Sequence, residues 1–129
     1  SKNSIFKNIE WVILEATFRL HEGSAQEIAQ KMNENSQGRR ARGHFDYPSC
    51  GSVFKNPYDV GIPAGKLIES AGLKGLTCGD AAVFDKHANF IINKNNATGT
   101  DILKLITTLR EGVQRAHHVD LTPEVQIWE

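Results

Sequence analysis

The sequence is organised around one short stretch, Tyr47-Pro48-Ser49-Cys50-Gly51-Ser52-Val53-Phe54-Lys55-Asn56-Pro57. It carries a hydroxyl, a primary amine and a carboxamide, on Ser52, Lys55 and Asn56, between a proline at each end. Side chains alternate between the two faces of a strand, so Ser52, Phe54 and Asn56 are expected to share one face. The hydroxyl and the carboxamide would then meet the same ligand, with Phe54 as an apolar wall between them. Taken alone, a Gly-Ser pair beside a strand is more often only a turn.

Composition excludes several classes of protein. The chain has 129 residues, 40% of them hydrophobic, which is enough for one modest core. Fifteen basic residues balance fifteen acidic ones, so nothing in the charge favours a nucleic-acid partner or a membrane surface. No apolar run approaches the ~18 residues of a transmembrane helix.

The two cysteines, Cys50 and Cys78, are too few for a disulfide framework or an ordinary zinc site, and no spacing of the histidines predicts a metal site. Reduced thiols fit a cytoplasmic protein best.

The first forty residues predict a strand and a helix. Residues 10–20 alternate between apolar and polar, which is typical of a half-buried strand. Ser24-Ala25-Gln26-Glu27 has the form of a capping box and is followed by apolar residues at helical spacing. We expect that helix to end around 35–38. The polar, basic stretch 37–43 then predicts a domain boundary, with residues 1–41 before it and residues 42–129 after it.

The second unit alternates strands and helices. Strands are expected at 51–56, 81–84, 89–93 and 125–128. Pro63 should open a short helix that ends before Gly72. Thr100 is expected to cap the longest helix, which has an apolar stripe of Ile102, Leu105, Ile106, Leu109 and Val113. The predicted fold is α+β, a small mixed sheet with two main helices packed on it, preceded by the strand and helix of residues 1–41.

Five blocks of this sequence resemble the UDP-N-acetylenolpyruvoylglucosamine reductase (MurB) family of bacterial flavoenzymes. They occur in the family's order and span nearly the whole chain. The blocks are Asn3-Ser4-Ile5-Phe6-Lys7, Gly51-Ser52-Val53-Phe54-Lys55-Asn56-Pro57, Ala64-Gly65-Lys66-Leu67-Ile68-Glu69-Ser70-Ala71-Gly72-Leu73-Lys74-Gly75, Gly79-Asp80-Ala81-Ala82-Val83-Phe84-Asp85-Lys86-His87-Ala88-Asn89-Phe90-Ile91 and Leu121-Thr122-Pro123-Glu124-Val125-Gln126-Ile127.

The resemblance implies an oxidoreductase that makes UDP-N-acetylmuramate, a peptidoglycan precursor, from UDP-N-acetylglucosamine-enolpyruvate in the bacterial cytoplasm. It implies FAD and NADPH as cofactors of the full-length parent. The family is roughly twice as long as this chain, an order of two domains, and binds its flavin mostly upstream of these blocks. Residues 1–41 are therefore expected to be the tail of the FAD-binding domain and residues 42–129 the C-terminal substrate-binding domain. The chain alone is expected to be inactive, to hold neither cofactor, and to need the N-terminal FAD-binding domain as its partner.

The resemblance also implies catalytic roles for two residues. Ser52 matches the family's proton donor, and Glu124 matches a glutamate that assists the enol intermediate. Without the resemblance, Ser52 reads as part of a turn and Glu124 as a surface carboxylate. The family's substrate-gripping arginine belongs to a motif that aligns with the start of this chain, where Lys2 takes its position. Lysine lacks the bidentate fork that matches a carboxylate, so that role is not transferred.

The remaining candidates would bind the nucleotide-sugar. Asn56 and Lys55 match the family's substrate-binding stretch, and Lys74, His87 and Asn89 lie in the other matching blocks. Lys74 could equally be a solvated lysine at a helix end, and His87 and Asn89 could cap a turn between two strands.

Two other functions stay open. The chain could be a non-catalytic module that binds a nucleotide-sugar, which Lys2 would favour. It could also be an interaction domain whose helices dock a partner, although the neutral charge and the lack of an obvious exposed apolar stripe weigh against this.

Overall fold

A computed structural model of the chain describes residues 12–127. It contains three helices, α1 (Ala25–Ala41), α2 (Ala64–Ser70) and α3 (Gly99–His117), in the described part. Four short strands complete it: β1 (Ser49–Ser52), β2 (Thr77–Cys78), β3 (Ala81–Val83) and β4 (Phe90–Asn93). The α+β class predicted from the sequence is confirmed.

The four strands form one sheet in the order β1-β4-β3-β2. Every neighbouring pair is antiparallel, so the expectation of a mixed sheet is wrong. Short turns join β2 to β3 and β3 to β4, and connections this short can only return the chain antiparallel to itself.

Helices α2 and α3 cover one face of this sheet. Leu67 and Ile68 of α2 and Leu105, Leu109 and Val113 of α3 are among the most buried side chains. They belong to the main core cluster together with Val53, Phe54, Val83, Ile91 and Leu121. Burying one such aliphatic side chain stabilises the fold by about 1.5–3 kcal/mol. The apolar stripe predicted for α3 is therefore the face that packs on the sheet.

The opposite face carries a smaller cluster of Ala82, Phe84, Phe90 and Ile92. The turn after α1 lies against it: the ring of Tyr47 is 6.3 Å from that of Phe84, and the ring of His44 is 5.2 Å from that of Phe90. This turn links α1 to the rim of the sheet.

The predicted strand at 10–20 is wrong where it can be compared. Residues 12–20 have no strand, and Val12 and Leu14 are 82% and 91% exposed. Residues 10 and 11 lie outside the described residues. A strand needs a pairing partner and cover for its apolar face, and residues 12–127 provide neither for this segment. Helix α1 starts at the predicted Ser24 cap but continues to Ala41 and has no buried residue.

Two strand boundaries also differ from the prediction. The strand placed at 51–56 ends at Ser52, after which Phe54 forms only an isolated bridge with Pro123. The pairing register shifts between Ser49 and Ser52, and both Val53 and Phe54 are 1% exposed. Phe54 is thus a core residue rather than a wall between Ser52 and Asn56. The closing strand at 125–128 is absent over 125–127, and Trp128 lies outside the described residues.

Helix α3 begins two residues earlier than predicted. Thr98, not Thr100, is its N-cap. The Thr98 side chain accepts a hydrogen bond from the backbone N–H of Asp101, whose carboxylate accepts one in return from the backbone N–H of Thr98. The cap is a reciprocal capping box, which satisfies two backbone donors at once.

Candidate functional site

Ser52 stands where β1 leaves the sheet. Gly51 before it has a φ of 81°, with nothing within 4 Å of the position that a Cβ would take. An L-residue adopts this left-handed conformation only at a cost of about 1–2 kcal/mol. Glycine therefore allows the backbone to turn here and presents Ser52, which is half-buried, at the end of the strand.

The backbone after Ser52 is anchored by Asn89. The N–H of Val53 donates to the carbonyl of Asn89 at 2.8 Å. The Asn89 side chain, 3% exposed, accepts from the N–H of Phe54 at 3.0 Å and donates to the carbonyl of Phe54 at 2.8 Å. Its carboxamide replaces the strand partner that Phe54 lacks. Asn89 therefore holds the site in place, and its carboxamide is occupied by the backbone.

Glu124 lies on a second chain segment, which pairs with the backbone directly after Ser52. Its backbone N–H donates to the carbonyl of Val53 at 2.7 Å, one residue from Ser52. Ser52 and Glu124 both line a cavity of about 750 Å³, whose other walls include Ile102 and Ile106 of α3. The structure thus brings the two expected catalytic residues to one open, mainly aliphatic cavity.

Ser52 also lines a second cavity of about 370 Å³. Four of the expected ligand-binding residues lie on its wall, namely Asn56, Lys74, His87 and Asn89. Lys66, Lys86 and Glu69 line it as well. A hydroxyl that borders an aliphatic cavity on one side and a charged cavity on the other can contact a ligand that has both an apolar reacting group and an anionic part.

The charged groups of this second cavity form ion pairs. The two oxygens of Glu69 accept from Lys74 at 2.8 Å and from Lys66 at 3.2 Å. Hydrogen bonds from Lys74 and then Lys66 lower the pKa of Glu69 below its ordinary value. Lys86 pairs at 2.8 Å with Asp46, in the turn after α1. Three lysines thus face the cavity beside a single carboxylate, which favours an anionic ligand.

His87 lies on the same wall with its ring against Phe90, at a centroid distance of 4.4 Å. Its Nδ1 is buried and meets no hydrogen-bond partner within residues 12–127. Burial, and secondly the nearby His44, lower the pKa of His87 below its ordinary value. The lowered pKa favours the neutral imidazole, which can offer a ligand a hydrogen bond without adding charge.

Asn56 lines one of the two Ser52 cavities, whereas Lys55 lies outside both. The Asn56 side chain accepts from the backbone N–H of Ala64 at 3.0 Å, which ties the site to the start of α2. Lys55 is exposed and lines a separate depression of about 500 Å³ with Asp59 and Asp120. The lining of neither Ser52 cavity includes Lys55.

Sequence reasoning missed Lys66, Lys86 and Glu69 as parts of the site. All three fall within quoted blocks, but the sequence carried no sign that they would meet. Among residues 12–127, no group of three or more His, Cys, Asp or Glu side chains could hold a metal ion. No helix in that range is long and apolar enough to cross a membrane.

A small antiparallel sheet, two helices on one face and a serine between two cavities together define an α+β domain with a candidate ligand site at the sheet edge. Residues 43–128 match the family model described as "UDP-N-acetylenolpyruvoylglucosamine reductase, C-terminal domain". The chain belongs to this family.

Similar proteins from other organisms support this family assignment. The chain is 47% identical over 124 residues to the UDP-N-acetylenolpyruvoylglucosamine reductase of Caldanaerobacter subterraneus, covering 96% of the chain and 40% of the relative. It is 48% identical over 114 residues to that of Treponema denticola, covering 88% of the chain and 35% of the relative. The crystal structure of the reductase (MurB) from Thermus caldophilus superposes with a TM-score of 0.66 at 35% identity, covering 86% of this chain and 38% of that one. The chain therefore spans about two fifths of the length of the relatives it matches.

Proposed function

We propose that this chain supplies the substrate-binding, proton-donating part of a reductase that converts UDP-N-acetylglucosamine-enolpyruvate to UDP-N-acetylmuramate in the bacterial cytoplasm. The observation that carries the proposal is the position of Ser52 between an aliphatic cavity shared with Glu124 and a cavity lined by lysines. The substrate has two corresponding parts: an enolpyruvyl group, whose double bond reacts and whose carboxylate is charged, and an anionic nucleotide. The family of the chain supports the same reading.

Ser52 donates the proton in this proposal. Reduction of the enolpyruvyl double bond leaves an electron-rich carbon next to a carboxylate, and a basic carbon of this kind accepts a proton even from a weak acid such as a hydroxyl. Placement then matters more than acidity. The hydrogen bonds of Asn89 and of the Glu124 backbone to Val53 and Phe54 fix the segment directly after Ser52.

Glu124 assists the enol form of the substrate. Its carboxyl group lines the cavity that Ser52 also lines, and it can exchange a hydrogen bond with the enol oxygen there. Its exposure at the mouth of the aliphatic cavity leaves it free to do so.

The charged cavity holds the nucleotide-sugar. Lys74 contacts a phosphate oxygen, and His87 offers a neutral hydrogen bond beside it. Asn56 contributes its remaining amide N–H groups, while Asn89 acts by holding the backbone. Lys55, outside both Ser52 cavities, contacts only a part of the ligand that extends beyond them.

FAD and NADPH are the cofactors of the parent enzyme in this proposal, and an N-terminal FAD-binding domain is the partner of this chain. When bound, the flavin supplies the reducing equivalents. The open cavity of Ser52 and Glu124, with Ile102, Leu103 and Ile106 on its wall, suits the edge of a flat apolar ring. This chain's own residues bind the substrate, orient it and donate the proton.

A non-catalytic nucleotide-sugar-binding module is the second candidate. The feature in its favour is Lys2, which the resemblance aligns with the family's arginine and which counts here only if it is native to the protein. This function needs the charged cavity but not the chemistry of Ser52.

An NMR titration of the ¹⁵N-labelled chain with UDP-N-acetylglucosamine-enolpyruvate tests the binding. We expect shifts at residues 51–56, Lys74 and 87–89, and similar affinity in Ser52→Ala, because the hydroxyl acts in proton transfer. UDP-N-acetylglucosamine, which lacks the enolpyruvyl group, should shift the charged cavity but not Glu124. Shifts confined to other surfaces, or none at millimolar ligand, would count against the proposal.

A further inference from the structure

The lysines of the charged cavity are neutralised in two different ways. Lys66 and Lys74 share Glu69, which itself lines the cavity. Lys86 is neutralised by Asp46, which lies outside the cavity lining, in the turn after α1. An anion that enters the cavity therefore competes with two carboxylates for these lysines. Glu69 lies inside the cavity and Asp46 lies outside it.

The pair of Lys86 and Asp46 can open at small cost. The two side chains are 52% and 39% exposed, and their N–O distance is 2.8 Å. An ion pair this exposed contributes little to stability. A diphosphate carries more charge than one carboxylate and offers several acceptor oxygens, so it is the stronger partner for a lysine within reach. The flexible four-carbon stem of lysine allows the ammonium group to change partner.

We propose that Lys86 is a phosphate-binding residue of this site and that Asp46 holds it at the cavity wall until an anion displaces the carboxylate. The inference rests on the proposed function for the identity of the anion, the diphosphate of a nucleotide-sugar. It adds a specificity-determining residue, Lys86, and a positioning residue, Asp46, to the site.

The turn that carries Asp46 does not depend on this ion pair. Gly43 is buried with a φ of 75°, and its backbone N–H donates to the carbonyl of Arg40 at 2.8 Å. The backbone N–H of Asp46 donates in turn to the carbonyl of Gly43 at 3.1 Å. The ring of Tyr47 also lies against that of Phe84. These backbone hydrogen bonds and this ring contact do not involve the two charged side chains, so substitutions of Lys86 and Asp46 report on charge rather than on a lost turn.

The two ends of the ion pair provide the test. Lys86→Met and Asp46→Asn both break it, but only the first removes a cation from the cavity. For inorganic pyrophosphate, followed by NMR shifts at low salt, we expect the dissociation constant to rise about three- to fivefold in Lys86→Met and to fall about two- to threefold in Asp46→Asn, in the range of exposed charge pairs. Lys86→Arg should bind like wild type. Lys104→Met, on the exposed side of α3, is the matched control and should change nothing.

A purely structural ion pair gives a different result, since both substitutions would then shift affinity in the same direction or leave it unchanged. Either outcome overturns the inference. A ¹⁵N spectrum of each variant that retains the wild-type dispersion establishes that the fold is intact.

A second ligand separates this inference from the proposed function. If pyrophosphate shows the opposite effects of the two variants while UDP-N-acetylglucosamine does not bind, Lys86 binds phosphate and the nucleotide-sugar assignment fails. If the nucleotide-sugar binds in the cavity but neither variant changes its affinity, the proposed function stands and the role of Lys86 is refuted.

Discussion

At the scale of single residues, the site depends on a division between side chains that face a ligand and side chains that hold the backbone. Asn89 and Asn56 both use their amide oxygens on backbone N–H groups, of Phe54 and Ala64 respectively. Lys74 and Lys86 instead pair with exposed carboxylates that an anion can replace. Because Asn89 is buried and fully engaged, its substitution should affect stability first and binding second.

Asn89→Ala tests this structural role. The substitution leaves the N–H and the carbonyl of Phe54 buried and unpaired, and each such group costs about 1–3 kcal/mol. We expect the free energy of unfolding, from urea denaturation, to fall by about 2–4 kcal/mol. Asn96→Ala, at an exposed turn, is the control and should be nearly neutral. A loss below about 1 kcal/mol in Asn89→Ala would show that the two hydrogen bonds do not hold the segment.

The motif residues were identifiable from sequence through the family resemblance, but the contacts that each of them makes were not. Ser52, Lys74 and His87 do reach one cavity. Nothing in the sequence indicates that the Asn89 carboxamide bonds the backbone of Phe54, since the two residues are 35 positions apart. For the same reason Lys66, Lys86 and Glu69 escaped notice.

At the scale of elements, apolar periodicity predicted those helices that have one face packed in the core. Apolar spacing located α2 and α3 because each has one face buried against the sheet. It failed for residues 12–20, whose alternation has no partner strand to act on in the described part of the chain. The N-cap of α3 was misplaced although the signal existed: Thr98 precedes Asp101 by three positions, which is the spacing of a capping box.

Substitutions of Thr98 and Thr100 test which of the two threonines caps α3. Thr98→Ala should lower the free energy of unfolding by about 1 kcal/mol, because it removes an N-cap. Thr100→Ala, inside the first turn, should be neutral or slightly stabilising, since alanine favours helix. Equal losses in the two variants would mean that the cap does not lie at Thr98.

The same cap makes the free energy of unfolding depend on pH. Hydrogen bonds from the backbone N–H and the hydroxyl of Thr98 lower the pKa of Asp101 below its ordinary value of 3.8. The stabilisation is therefore present above that value and is lost as the pH falls through the lower pKa of the folded state. Asp101→Asn should lack this part of the acid dependence when urea denaturation is repeated from pH 6 downwards.

At the scale of the whole molecule, the described residues form a two-layer unit that begins at the turn after α1. Helix α1 buries nothing, and the apolar side chains of residues 12–20 are exposed. The division at 41 and 42 remains a prediction. The sequence could predict the family and the α+β class because the blocks are distinctive. It did not predict the pairing of β1 with β4, two strands that are distant in the chain.

Turnover by a chimera tests the role of Ser52 most directly. In the chimera, this chain replaces the C-terminal segment that it matches in the Thermus caldophilus reductase, and NADPH oxidation is followed with UDP-N-acetylglucosamine-enolpyruvate. We expect the chimera to turn over and Ser52→Ala to reduce kcat by at least about 100-fold, the usual contribution of a positioned proton donor. Substrate affinity and flavin reduction by NADPH should stay unchanged. Full turnover in Ser52→Ala, or a folded chimera that binds the nucleotide-sugar and never reduces it, would contradict proton donation by Ser52.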